Sequence, residues 1–254
     1  MDTPTDDPID DDLSLVEVQV LHVDDGDSLR VVLDGAEERV RLLGINAPEH
    51  DECLGDASRD SLEQLVGEAA VLALEPDERD QFDRILAHVF ASDVYANEAQ
   101  VAAGLAIVFS DPNVFQTELI VAEEQAESDR VGLWGPDACG GGSGLDGVEI
   151  VAIDPDPPGR DDENLGEERV VIANRSDVDA DLGGFVLRDE STANRFVFDD
   201  GYLLEAGYEV TIVSGCDPPP GDLGWCAEGP VWNNDGDSAL LLDPNGGIVD
   251  HFRY

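Results

Sequence analysis

Lysine is absent from this chain of 254 residues, so all thirteen of its fixed cations are arginines. Against them stand 59 aspartates and glutamates, giving a formal net charge of −46. That shortage of cations excludes a protein whose whole surface attracts nucleic acid or anionic lipid. It leaves room for a local arginine cluster that grips phosphate. Long hydrophobic runs are missing as well: none approaches the ~20 apolar residues of a membrane-spanning helix. Cysteine is limited to Cys53, Cys139, Cys216 and Cys226, none in a Cys-x-x-Cys pair, and His22, His50, His88 and His251 show no ligand spacing. A structural zinc site is therefore not expected.

What is present is enough apolar residue, 42 % of the chain, to build cores. The acids run through both halves instead of forming one tail. That pattern suits solvation in concentrated salt, where the Debye length falls to about 3 Å at 1 M and self-repulsion is screened. Four cysteines allow three pairings. Chain order favours Cys53–Cys139 and Cys216–Cys226, a usage that fits an oxidising compartment. The acidic, proline-containing opening MDTPTDDPIDDD predicts a disordered spacer over residues 1–13, read as what remains after an export or anchoring segment has been removed. The expected location is extracellular or at the cell surface, and the expected state is a monomer.

The glycine-rich stretch CGGGSGLDG at 139–147 marks a hinge. The expected organisation is a first domain over 14–137, a linker over 138–147 and a second domain over 148–254. In the first, LVEVQVLHV alternates as a half-buried strand. A DDGDS turn follows, then two strands joined at Asp34-Gly35, a helix over ASRDSLEQLV, two more strands (AAVLALE, DRILAHVFA) and two helices. The second of those helices places Phe115, Leu119, Ala122 and Ala126 at helical spacing. Five strands with helices outside suit a small closed Greek-key barrel of the OB type, an α+β arrangement. The second segment offers about seven short strands between Asn, Asp, Gly and Pro turns, the pattern of an immunoglobulin-like β-sandwich. The whole reads as a β-rich two-domain chain.

Three stretches of the first segment carry candidate chemistry: DGDSLRV (25–31), RVRLLGINAPE (39–49) and DQFDRILAHVF (80–90). Taken singly, each has a structural reading as a turn, a strand or a surface loop. Together they supply Asp27, Asn46 and Glu49 as oxygen donors with Arg41 and Arg84 as guanidiniums, the inventory for metal-assisted phosphodiester cleavage. Oxygen-only ligands suit a hard cation such as Ca²⁺. A carboxylate beside that ion can take a proton from attacking water, and two guanidiniums can hold the charge that builds on phosphoryl oxygens.

These stretches resemble the staphylococcal nuclease-like (thermonuclease) family, with its DGDT, R-L-x-G-[ID]-x-[AT]-PE and D-x-[YF]-x-R elements in order and a closing GLWG at 132–135. The resemblance spans about Leu15 to Pro136 and implies an OB-fold and a Ca²⁺-dependent endonuclease acting on DNA and RNA to leave 3′-phosphate ends. It implies Asp27, Asn46 and the backbone carbonyl of Ala47 as calcium ligands, with Glu49 reaching the ion through water and activating the nucleophile. Arg41 and Arg84 would be the transition-state cations, and Phe82 a stacking surface for substrate. Two departures stand out. Asn46 occupies a position where an aspartate is expected, and Gln81 stands beside Phe82 where a lysine–tyrosine pair is expected.

The segment from Val148 to Tyr254 resembles the lamin tail domain family through DLGGFVLRDES, GYLLEAGYEVTIVSG and VWNNDGDSALLLDPNGGIVDHF. That implies an immunoglobulin-like sandwich used for binding or spacing. Its own DGDS, Asp235–Ser238, reads as a β-turn, and Asp154, Asp156, Asp161 and Asp162 read as a solvated acidic loop in preference to a structural calcium site. The alternatives to an enzyme are a catalytically inactive OB domain that only binds nucleic acid, or a cell-surface adhesion protein.

Overall fold

The computed structural model describes residues 13–75, 79–136, 138–140, 145–156, 159–160 and 164–254. Residues 1–12 of the expected spacer, 141–144 of the expected hinge, and Asp161 and Asp162 lie outside them. Contacts divide the chain into two units: residues 1–50 with 55–125, and residues 51–54 with 126–254.

In the first unit, β1 (Ser14–Val23), β2 (Ser28–Leu33) and β3 (Ala36–Leu42) form a meander. The turn between β2 and β3 places Asp34 and Gly35 at φ 52° and 82°, the left-handed pair that a two-residue hairpin requires. β4 (Ile45–Asn46) follows, then helix α1 (Gly55–Val66), β5 (Ala69–Leu74), β6 (Ile85–Ala91) and β7 (Val94–Tyr95). Helix α2 (Ala96–Ala102), β8 (Ile107–Val108) and helix α3 (Gln116–Asp129) complete the set. β1 pairs with β2 and β5, β5 with β6, and β3 runs parallel to β6 with Val40 opposite Ile85. That last pairing closes the sheet into a five-stranded barrel, the OB-type form expected.

The barrel interior is filled from alternate strand positions, with Leu29, Val31, Val40, Leu72, Ala87 and Val89 fully buried. Burying each large apolar side chain contributes about 1.5–3 kcal/mol. Leu62 of α1 and Leu119 of α3 cap the core. Phe115, expected on the same stripe of α3, lies just before that helix and packs instead with His88, Phe90 and Tyr95.

Among the described residues the second unit holds ten strands: β9 (Val148–Asp154), β10 (Arg169–Asn174), β11 (Ala180–Asp181), β12 (Val186–Arg188) and β13 (Arg195–Val197), then β14 (Leu203–Leu204), β15 (Glu209–Val213), β16 (Leu223–Gly224), β17 (Ser238–Leu242) and β18 (Ile248–Arg253). They form one sheet in the order β16-β15-β10-β9 and another in the order β13-β12-β17-β18, with β11–β14 as a separate pair. Ile172, Leu182, Leu187, Ile212, Trp232 and Leu241 fill the core, as an immunoglobulin-like sandwich requires. The seven expected strands are all present. β11, β14 and β16 are additional, each only two residues long and so without a period to read. Cys53–Cys139 and Cys216–Cys226 are both bonded, the pairing that chain order favoured.

Candidate active site

The site begins with a backbone constraint. Gly26 lies between two aspartates, and a Cβ there would meet Ser58 Oγ at 1.8 Å and Ala47 Cβ at 2.8 Å. Only glycine lets the β1–β2 turn press against α1 and the 45–49 loop at once. The turn therefore presents Asp27 inward, with 7 % of its side chain exposed. Its Oδ2 accepts the Ala47 N–H at 2.7 Å, and its Oδ1 accepts the Ser28 hydroxyl at 2.9 Å.

Arg41 arrives through sheet register, because β2–β3 pairing sets it opposite Ser28. Its Nη1 lies 3.1 Å from Asp27 Oδ2, and its Nη2 donates to Asn46 Oδ1 at 3.0 Å. One guanidinium thus joins two of the three ligands that the sequence suggested. Ala47, the third, is tied to Asp27 through its own N–H. Glu49 is exposed on the same loop, past Pro48. Its carbonyl packs so closely on Gly55, at the start of α1, that a Cβ there would lie 1.9 Å from it. His50 Nδ1 and Asp56 Oδ1, 2.8 Å apart, fasten the loop at the same helix end.

Arg84 is set by Asp80. The Asp80 carboxylate accepts the Arg84 Nε–H at 2.7 Å and the N–H groups of Phe82 and Arg84 at 2.9 Å each. Burial alone would raise its pKa, but these donors and the Arg84 charge hold it below the ordinary carboxylate value. The Arg84 guanidinium lies 5.6 Å from the Phe82 ring centre, within cation–π range. Arg41, Arg84, Phe82, Phe109, Asp80 and Asp111 line one cavity of about 230 Å³. The structure therefore brings Asp27, Asn46, Ala47 and Arg41 together, and sets Arg41 in the same cavity as Arg84 and Phe82.

Three residues escaped the sequence reading. Asp80 was the leading residue of a quoted motif but carried no role there; its four-residue offset from Arg84 was the available signal. Asp25 accepts the Asp27 N–H at 3.0 Å. Burial, with the charge of Asp27 adding to it, raises Asp25 to about 6. Asp111 reaches the cavity from the segment after β8. Burial raises its pKa too, partly offset by Arg41, and nothing local in the sequence marks it.

The donor set is oxygen-only: one buried carboxylate, one side-chain amide and a backbone carbonyl, with Asp25 close behind. That chemistry fits a hard dication better than a soft one. Among the described residues, no three Asp, Glu, His or Cys side chains gather into a metal-binding cluster. An ion here would accordingly rely on neutral oxygens and water for most of its shell.

Comparison with known proteins now decides the family. A family model described as staphylococcal nuclease homologue matches residues 39–136, and one described as Lamin Tail Domain matches residues 143–254. An uncharacterized endonuclease of Escherichia coli is 34 % identical over 117 residues, covering 46 % of this chain and 75 % of that protein. The chain belongs to the staphylococcal nuclease homologues. It also carries a lamin tail domain. A thermonuclease of Staphylococcus hyicus is 28 % identical over 125 residues, 46 % of this chain and 74 % of that one. An uncharacterized protein of Bacillus anthracis is 30 % identical over 133 residues, and the matched region spans only 62 % of its length. The family match begins at Arg39, so Asp27 lies outside it; what ties Asp27 to the matched region is its bonds to Arg41 and Ala47.

Proposed function

We propose that the chain is a Ca²⁺-dependent nuclease that hydrolyses phosphodiester bonds of DNA or RNA and leaves 3′-phosphate ends. The observation that carries this reading is the shared guanidinium of Arg41, bonded to both Asp27 and Asn46 while lining one cavity with Arg84 and Phe82. Asp27, Asn46 and the Ala47 carbonyl would hold the ion. When bound, calcium supplies positive charge at the phosphate and a polarised water.

The remaining work falls to side chains of this chain. Glu49 takes the proton from the attacking water. Arg41 and Arg84 bind the phosphoryl oxygens, where bidentate guanidinium contacts strengthen as charge builds. Asp80 keeps Arg84 aimed into the cavity, and Phe82, 60 % exposed, offers a face to a base or sugar. Attack in line with the 5′ oxygen expels that oxygen and leaves the phosphate on the 3′ side.

The same reading makes the enzyme an exported, salt-adapted protein with the lamin tail domain as a binding or spacing module. Two bonded cysteine pairs support export, and a net charge of −46 supports salt adaptation. In dilute buffer the acids repel a polyanion. At ~1 M salt that repulsion is screened beyond about 3 Å while direct contacts persist in weakened form. Plasmid cleavage measured across a salt series with Ca²⁺ tests the whole reading: activity should rise with salt before falling, and vanish with EGTA or with Glu49→Gln. Cleavage that survives both treatments removes the mechanism, and a monotonic decline from low salt removes the salt adaptation.

A further inference from the structure

We propose that Gln100 is a positioning residue for the metal-binding turn: its buried amide fixes the Gly26 carbonyl and so holds Asp27 in place. This rests on the calcium reading above. Gln100 lies on α2 and is fully buried. Its Nε2 donates to Gly26 O at 2.8 Å and to Ser58 O at 2.9 Å, with Ser58 Oγ at 3.2 Å. Two of those three acceptors are backbone carbonyls with no hydrogen to give, so the amide nitrogen must be the atom that faces them. Ser58 is locked in turn, donating its hydroxyl to Leu105 O at 2.6 Å. One side chain thereby ties the β1–β2 turn to α1 and α2.

The other end of the amide shows that this is more than packing. Gln100 Oε1 is buried with no hydrogen-bond partner among the described residues. A buried acceptor left unmade is costly, and a leucine or methionine would fill the same space without that cost. What an apolar side chain lacks is the N–H pair that reaches Gly26. Asp25 and Asp27 flank that glycine, and Asp25 Oδ1 accepts the Asp27 N–H at 3.0 Å, so the three residues form one short turn. Without the Gly26 anchor that turn loses its hydrogen-bonded tie to α1 and α2, and with it the constraint that keeps Asp27 on Ala47 and Arg41.

The test uses the full chain and reads calcium binding directly, by calorimetric titration with CaCl₂ at ~1 M NaCl so that weak surface association is suppressed. Gln100→Met keeps length and volume but removes the donors. Its calcium midpoint should rise about tenfold, the low end of what losing a partner behind a metal ligand costs. Cleavage rate at saturating calcium should stay within about twofold of the parent, the sign of a lost binding contribution. Leu72→Val, in the barrel core on β5 opposite Val16 and so seven residues along β1 from Val23 at the edge of the turn, serves as a stability control and should leave the midpoint unchanged.

If Gln100→Met lowers the melting temperature as Leu72→Val does but leaves the midpoint where it was, Gln100 is only structural and the inference falls. If Gln100→Met does not fold, Gln100→Leu is titrated in the same way; it also fills the space without a donor, so an unshifted midpoint there overturns the inference equally. A parent protein that gives no saturable calcium heat overturns the calcium reading itself, which separates that failure from this one.

Discussion

The tetrapeptide Asp-Gly-Asp-Ser occurs twice, at Asp25–Ser28 and at Asp235–Ser238. In both places serine opens a strand and faces an arginine on the next one: Ser28 opposite Arg41, and Ser238 opposite Arg253. The inner aspartate is buried in each. There the likeness stops. Asp27 receives a guanidinium and the N–H of a residue twenty positions away. Asp237 receives backbone N–H groups: those of Asn233 and Ser238 in its own loop and one at Glu190. Arg253 donates its Nε–H to the Ser238 hydroxyl.

Other buried charges of the second unit serve backbone in the same way. Glu168 accepts the N–H groups of Val231 and Trp232, and Arg188 donates to the carbonyls of Asp189, Glu190 and Ser191. The motif alone is a turn. It becomes a candidate site where Asn46 follows Arg41 by five residues and where β3–β6 pairing brings Arg84 to the same cavity.

The sharpest way to break this comparison is to make one conservative change in each copy. Arg41→Lys keeps a cation beside Asp27 but loses the paired donors. Cleavage should fall by about 10²–10³-fold, the range for removing one transition-state donor. Arg253→Lys, the matching change in the second copy, should leave cleavage within about twofold, since Arg253 is not among the residues that line the cavity of Arg41 and Arg84. Steady-state cleavage of a defined oligonucleotide by the two variants decides it. Equal losses would mean that the two turns are not functionally distinct.

The difference between the copies also marks how far the sequence could be read. The alternation of β1, the Asp34-Gly35 hairpin and the helix over ASRDSLEQLV were plain, because each rests on local spacing. Arg41, Glu49 and Arg84 stood out for their types and order. Gln100 did not: its role depends on α2 lying over Gly26, a contact 74 residues apart in the chain. Asp111 likewise enters the cavity only after the chain has folded back along β8. Long-range packing of this kind leaves no periodic trace, and the two-residue strands β11, β14 and β16 are too short to leave one.

A second test concerns burial alone. Burial raises the pKa of Asp237 to about 6, with the charge of Asp189 adding to it and the donated N–H groups opposing it. The unfolded chain ionises this group near 3.8 while the folded one still holds the proton. Stability of the second unit should therefore fall as pH rises from about 4 to 6, then stay level. Two pKa units correspond to about 2–3 kcal/mol. Asp189 and Asp250, also raised by burial, add slope of the same sign, so Asp237→Asn should remove only the Asp237 share in urea unfolding series run from pH 4 to 7. A variant whose slope matches the parent would show that Asp237 does not titrate across this window.

The smallest effect expected is at Asn46, and it sharpens the comparison instead of breaking it. Asn46→Asp restores a carboxylate beside Asp27, and added negative charge favours a dication. Part of the gain is offset, because Arg41 Nη2 already bonds this position and would pair more tightly with a charged oxygen. A third acid near Asp25 and Asp27 also raises their mutual repulsion when no ion is bound. The net result should be a calcium midpoint lower by about three- to tenfold, roughly 1 kcal/mol, together with a lower melting temperature in EGTA. Asp237→Asn supplies the blank, since an aspartate that holds backbone N–H groups of the second unit should leave the calcium titration unchanged. An Asn46→Asp midpoint identical to the parent's would show that this side chain does not touch the ion, leaving Asp27 and the Ala47 carbonyl as the only protein ligands of those proposed.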